Sequence, residues 1–276
     1  MSNVSPESRE VEKAAVQLFV KLGYKYINAP GIDSYREMRS EVVLANRFRA
    51  ALMRLNPRKD GIDLIKAARQ IAAVNGDTLM TDNRYVHKLL VAEITATSPA
   101  PERSYRPISY LDFRQCGKND FVIANRVHYQ GKNGEIIPAL TVFVNGLPLA
   151  VLQCKAPSAR FAATEAINDL IRYQENNEEL FRYNQVCACI YKVGGKYGAI
   201  GAGETYYHEF KSMDNSQLAL LLDAEPTPQD ILIYNLFKKE NFLDIIRNFI
   251  IYEPVEGKLM KKLPRYQQIR AVNKAV

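Results

Sequence analysis

Residues 138–155 constrain the fold of this chain more than any other stretch. Pro138-Ala139-Leu140-Thr141-Val142-Phe143-Val144 runs into Asn145-Gly146, and Leu147-Pro148-Leu149-Ala150-Val151-Leu152-Gln153-Cys154-Lys155 returns. An Asn-Gly pair between two apolar, β-branched runs is the strongest short hairpin signal, because both residues tolerate positive φ. The arms are so apolar that the hairpin is predicted to be buried, with a polar tip where the second strand ends. A two-residue turn pairs Val144 with Leu147, and the same register brings Ala139 level with Leu152, beside Gln153. Gln153 and Lys155 are two apart, so both point to one face.

The pattern changes along the chain around this hairpin. Ser5-Pro6-Glu7-Ser8 opens a helix with an N-cap and a first-position proline, and Val11, Ala14, Ala15, Leu18, Phe19 and Leu22 follow at helical spacing up to Gly23. Tyr24–Ile27 reads as a short strand. Helices are predicted at about 42–55, at 62–74 and around 87–90. Strand-like segments follow at 103–113, 120–129 and 136–155. A helix at 162–175 precedes strands at 183–191 and 197–202, with Gly194-Gly195 as their turn. Helices return at 230–237 and 242–252, a basic connector spans 257–262, and a further helix begins at Arg265. The expected fold class is α+β: a nuclease-like unit over 1–225, with a helical insertion at about 36–92 and a sheet core at about 103–205, then a helical linker over 226–276. An end in mid-helix is read as a sign of a fragment or a truncated reading frame.

Composition excludes some classes of function. With 47% hydrophobic residues in 276, the chain can bury a large core, yet its longest apolar runs fall far short of the ~20 residues needed to span a bilayer. No basic-then-apolar leader opens the sequence, so a cytosolic protein is expected. A net charge of +7 and a pI near 9.1 suit a polyanionic partner without specifying one. Cys116, Cys154, Cys187 and Cys189 lack zinc spacing and are read as small buried side chains. His87, His128 and His208 show no metal or triad spacing. The glycines between 194 and 203 lie among strands, so they are read as turns and bulges rather than a phosphate cradle. The sixteen tyrosines are read mainly as packing residues.

The hairpin and its surroundings resemble the nuclease core of the restriction (R) subunit of type I restriction–modification enzymes, in the PD-(D/E)xK superfamily. The match includes Arg39-Ser40-Glu41-Val42-Val43-Leu44, Lys118-Asn119-Asp120-Phe121-Val122, Val142 to Val151, Phe181-x-Tyr183-Asn184 and the glycines from 194 to 203. Arg265-Tyr266-Gln267-Gln268 is similar to the adenine-sensing Q motif that precedes the helicase motor of that family. The resemblance implies a restriction-endonuclease-like core with a mixed sheet flanked by helices. It also implies Mg²⁺-dependent cleavage of DNA, beside methyltransferase and specificity subunits. ATP would bind, with help from Gln268, only if a motor domain follows.

At the decisive positions the chain departs from the family. Ala139 stands where the family has Asp and Gln153 where it has Glu; Lys155 is kept. Of the family's Gln-x-x-x-Tyr, Tyr173 is kept and Asp169 replaces the Gln, while Arg126 stands where a Gln is usual. Mg²⁺ is commonly held through one or two carboxylates, so losing both leaves Gln153 and Asp169 as the remaining candidate metal ligands. Glu135, Asp112, Asp120 and Glu165 are weaker candidates to supply an acid. The candidate catalytic set is therefore Lys155, Gln153, Ala139, Asp169 and Tyr173. The expected function is an R-subunit endonuclease domain, inactive or impaired. The alternatives are a non-catalytic DNA-binding or assembly module derived from it, or a fragment with no independent role.

Overall fold

The Asn-Gly hairpin forms the middle of the sheet. In the computed structural model, which describes residues 5–92, 108–212 and 214–275, helix α1 (Pro6–Lys21) leads into β1 (Lys25–Asn28) and the short α2 (Ala29–Asp33). Helices α3 (Ala45–Leu55), α4 (Gly61–Ala72) and α5 (Leu79–Val91) come before the rest of the sheet. Strands β2 (Phe121–Asn125), β3 (Tyr129–Gly131), β4 (Gly134–Ile136), β5 (Leu140–Val144) and β6 (Leu147–Cys154) follow. Then come α6 (Ala162–Asn176), α7 (Glu178–Tyr183), β7 (Val186–Ile190) and β8 (Gly195–Gly198). The chain continues through α8 (Ser216–Leu222), α9 (Pro228–Phe237), α10 (Lys239–Asp244), β9 (Ile251–Val255), β10 (Lys258–Lys262) and α11 (Tyr266–Ala275).

Six strands form one mixed sheet in the order β1-β2-β5-β6-β7-β8. The β1–β2 and β6–β7 pairs are parallel and the others antiparallel. Helices cover the sheet: α1 lies against β2 and β6, α6 against β6 and β7, and α9 packs on both α1 and β8. Every residue of β5, and all of β6 except Gln153, is buried. The hairpin therefore reads as a continuous apolar run rather than an alternating one, as expected of a strand covered on both faces.

Local chemistry explains the elements that sequence patterning finds. The Ser5 hydroxyl accepts from the Ser8 N–H and caps α1, and Gly23, at φ +85°, ends the helix. Asn145 and Gly146 adopt φ of +54° and +81°, the signs that a type I′ turn requires. Gly146 also meets α3 closely. Its carbonyl accepts from the Leu44 N–H at 2.9 Å, and a Cβ there would fall 2.7 Å from the Phe48 nitrogen.

Several expectations need correction. Residues 103–107 lie outside the described residues, and 108–113 form loop, held by side chains such as Asn56, which accepts from the Ser109 N–H at 2.8 Å. The predicted strand at 120–129 is broken, because Arg126 takes φ +50° after Asn125. The strand expected from Tyr183 starts at Val186, since Glu178–Tyr183 closes as a helix. Its partner β8 is shorter than 197–202 and starts at Gly195, so the turn lies before that residue. The helix expected over 242–252 passes through a π-helical turn, Ile245–Phe249, and then becomes β9. The "basic connector" is β10, joined to β9 by Glu256 and Gly257, both at positive φ. A Glu-Gly turn carries a weaker hairpin signal than Asn-Gly, so the arrangement is set by packing of β10 on α5.

Candidate active site

The hairpin ends where β6 meets α6. The register differs from that of an ideal two-residue hairpin: Phe143 pairs with Pro148, but Val142 pairs with Ala150, so Leu149 is an extra residue in β6. Such a bulge shifts every later pair by one position. Leu140 pairs with Leu152, so Ala139 comes level with Gln153 itself rather than with Leu152. The Ala139 N–H donates to Gln153 Oε1 at 3.1 Å. The Leu149 carbonyl is not orphaned by the bulge, because it accepts from the Gln185 N–H.

Beyond Gln153, the polar groups converge on one carboxylate. Gln153 Nε2 donates to Asp169 Oδ2 at 3.1 Å, and Lys155 Nζ lies 2.7 Å from the same oxygen. Arg172 engages Asp169 Oδ1 at 2.6 Å. Glu165, one helical turn before Asp169, stands 3.9 Å from Lys155. The Asp169 side chain is 16% exposed, whereas Arg172 is 59% exposed. Ala139, Gln153, Lys155 and Asp169 thus form one cluster, in which Asp169 of α6 contacts both Gln153 and the Lys155 that follows β6. Tyr173, one turn further along α6, donates its hydroxyl hydrogen to the Ile137 carbonyl at 3.2 Å. Burial, and then the Asp169 charge, push the Tyr173 hydroxyl above its usual range. It therefore holds the start of β5 as a neutral donor.

The other acids proposed from sequence serve local structure elsewhere. Asp120 pairs with Arg47 at 2.6 Å, Glu135 with His128, and Asp112 accepts from the Arg114 and Gln115 N–H groups. One buried carboxylate escaped the sequence reading. Glu12, 5% exposed, receives Arg126 at 2.5 Å and the Asn125 amide at 2.8 Å. Its sequence signal is its place on the apolar stripe of α1, one residue after Val11 and seven before Phe19. Arg126 is tied to the start of β5 as well, donating its N–H to the Ala139 carbonyl at 3.1 Å.

Among the described residues, no group of three or more His, Cys, Asp or Glu side chains is arranged to hold a metal ion. Gln268 lies on α11, where its Oε1 accepts from the Arg265 N–H at 2.7 Å. Cys154, Cys187 and Cys189 are buried, and burial raises all three thiols. No helix of the described residues is long and apolar enough to cross a membrane.

A mixed sheet flanked by helices, with lysine, glutamine and aspartate meeting at the end of its central hairpin, is consistent with a nuclease-like α+β domain. Residues 6–206 match the family described as "Type I restriction enzyme R protein N terminus", and the chain belongs to that family. Similar proteins include the type I restriction enzyme HindI endonuclease subunit of Haemophilus influenzae, 28% identical over 276 residues, which is 97% of this chain and 26% of the relative. The MjaIXP endonuclease subunit of Methanocaldococcus jannaschii is 25% identical over 290 residues, 98% of this chain and 27% of the relative. A second subunit from that organism, MjaVIIIP, is 34% identical over 170 residues, 61% of this chain and 16% of the relative. The chain spans about a quarter of the length of the first two.

Proposed function

We propose that this chain is the PD-(D/E)xK-type endonuclease domain of a type I restriction R subunit, in a form that no longer cleaves DNA at a useful rate. The observation that carries this reading is the state of Asp169. Both of its oxygens are engaged by the protein's own donors, Lys155 and Gln153 on one and Arg172 on the other. Gln153 Oε1 is used by the Ala139 N–H, and Ala139 offers only a methyl group.

These residues do not fit Mg²⁺. A small hard cation that gives up its water reluctantly needs formal negative charge from the protein. Here a single carboxylate is already neutralised by an ammonium and a guanidinium. Binding a metal through Asp169 would cost two short ion pairs and leave Lys155 facing the incoming charge. What the cluster does is join β6, the start of β5 and α6 into one ion-paired, hydrogen-bonded unit.

In this reading the cluster is structural, and DNA, the methyltransferase and the specificity subunits are the partners of the assembled complex. The division into a nuclease-like unit over 1–225 and a linker over 226–276 leading to a motor belongs to the same proposal, and ATP would enter only with that motor. Isothermal titration of the chain with Mg²⁺ and Mn²⁺ is expected to show no saturable heat in the millimolar range. The double variant Ala139→Asp/Gln153→Glu is expected to gain saturable binding, because it returns two carboxylates to paired positions on the hairpin. Metal-dependent nicking by the unaltered chain, abolished by Lys155→Ala, would sink the reading. Duplex DNA binding is expected to weaken steeply between low and moderate salt, because lysine and arginine contacts to phosphate release counterions. A gel shift insensitive to salt would contradict that mode.

A further inference from the structure

Helices α3 and α4 leave a trench between them that the cluster on α6 does not use. It encloses about 1120 Å³ and runs on to α7, where Glu179 and Tyr183 line it. Leu52 and Ile71, both buried, lie at its base, and Leu64 and Ala68 are partly covered. Met53 and Ile65 also line it, yet they stand 60% and 54% exposed. Exposed apolar surface gathered along a groove, rather than scattered, marks an interaction site.

The charge around the trench favours one kind of occupant. Its lining includes Arg49, Lys59, Arg69 and Arg182 against Glu41 and Glu179. The guanidiniums of Arg49 and Arg69 are exposed and make no hydrogen bond or ion pair among the described residues. Arg182 is already held by Asp82 and Asn75. Glu41 is engaged locally, accepting from the Glu37 N–H at 2.7 Å. Glu179 Oε2 has no hydrogen-bond donor among the described residues, but it is covered by the protein rather than open to the trench. Among the described residues, then, Arg49 and Arg69 flank an apolar trench as unpaired cations.

We propose that this trench binds an amphipathic helix of a partner protein. That helix would carry an apolar face with acidic flanks. The twelve residues of α4 span ~18 Å at 1.5 Å per residue, so about three turns of a partner helix would match its length. Anchors at i, i+3 or i+4, and i+7 would cover Met53, Ile65 and Leu64, the usual helix-in-groove arrangement. Acidic flanks would meet Arg49 and Arg69, adding orientation and association rate more than raw affinity. Duplex DNA suits the arginines but has no apolar face for the trench floor. The proposal does not depend on whether the α6 cluster is active.

A displayed library of helical peptides, panned on the full 276-residue chain, tests it. Enriched sequences are expected to carry apolar residues at helical spacing flanked by Glu and Asp. Their affinity is expected to fall at least tenfold in Ile65→Asp and, separately, in Arg49→Glu/Arg69→Glu, with unchanged melting temperatures because these side chains are exposed. Enrichment of basic or uncharged sequences would overturn the proposal, as would no enrichment or binding indifferent to Ile65. So would a concentration-dependent dimer that Ile65→Asp dissociates, which would assign the trench to a second copy. Competition by duplex DNA that survives Ile65→Asp but not the arginine changes would assign the arginines to nucleic acid.

Discussion

Asn145→Ala is expected to lower unfolding free energy by about 3–5 kcal/mol, from the sum of lost hydrogen bonds and backbone strain. Asn145 is fully buried at the tip of the central hairpin. Its Oδ1 accepts from the Asp120 N–H at 2.8 Å and from Arg54 at 3.1 Å. Its Nδ2 donates to the Tyr110 carbonyl at 2.9 Å and to Asn119 Oδ1 at 2.8 Å. Alanine removes all four bonds and leaves the backbone partners buried, each worth ~1–3 kcal/mol when orphaned, with some relief from neighbours. It also places a Cβ at φ +54°, where a residue other than Gly, Asn or Asp costs ~1–2 kcal/mol. Asn145→Gly separates the two effects, recovering the strain but not the bonds. Since a domain is stable by only about 5–15 kcal/mol in total, urea melts should show the alanine variant unfolding at a much lower midpoint than the unaltered chain. A loss under ~1 kcal/mol in both variants would show that the network is not coupled as described.

The second large effect concerns Lys261, which is 3% exposed on β10. Its Nζ donates to Asn83 Oδ1 and to the Asn184 carbonyl, both at 2.9 Å, and lies over the Tyr252 ring. Among the described residues, no carboxylate pairs with it. The titratable groups nearby are His87 on α5, Tyr252 on β9 and Cys187 on β7. Burial lowers the Lys261 ammonium from 10.5 to about 7, with the Cys187 thiol acting weakly the other way. The unfolded chain then holds a proton between pH 7 and 10.5 that the folded chain does not. Stability therefore rises with pH across that window, by something of the order of 4 kcal/mol. Below pH 7 both states are protonated, and this group adds no further slope.

His87 acts in the same direction in an earlier window. Burial, and then the Lys261 charge, lower its imidazole from 6.5 to about 4, so its contribution is present above pH 6.5 and is lost as the pH falls toward 4. Lys261→Met keeps the apolar stem and removes the charge. The rise between pH 7 and 10 should disappear in that variant, and the His87 titration followed by NMR should move upward toward 6.5. Asn83 Oδ1 and the Asn184 carbonyl keep other donors, the Tyr252 hydroxyl and Asn83 Nδ2 respectively. Melting temperature near pH 7, where burying Lys261 costs most, should therefore rise in the variant, and the two proteins should converge above pH 10. An unaltered stability slope in Lys261→Met would remove Lys261 as its source.

These two sites differ in how far sequence exposes them. The Asn-Gly turn is visible because its signal is local: two residues that tolerate positive φ between apolar runs. The α1 cap and the span of α6 are legible for the same reason, since capping and helical spacing are set within a few residues. Lys261 looks like part of a basic surface connector, and its burial depends on α5, α7 and β7 meeting around it. The Leu149 bulge is equally invisible, because an extra strand residue shows only against its partner. It moves Ala139 from a place level with Leu152 to one level with Gln153.

For the candidate site, the family resemblance pointed to a proposed set at Ala139, Gln153 and Lys155, with Asp169 on the helix that follows. The same resemblance assigns the family, through an ordered series of short matches. Only the tertiary structure decided that Asp169 reaches Lys155 and Gln153, that Arg172 occupies its other oxygen, and that Glu12 is buried against Arg126. The physical reason is distance. Turns, caps and helical faces are written over a few neighbouring residues, whereas an ion pair between a strand end and a helix depends on strand register, helix placement and the charge each finds there.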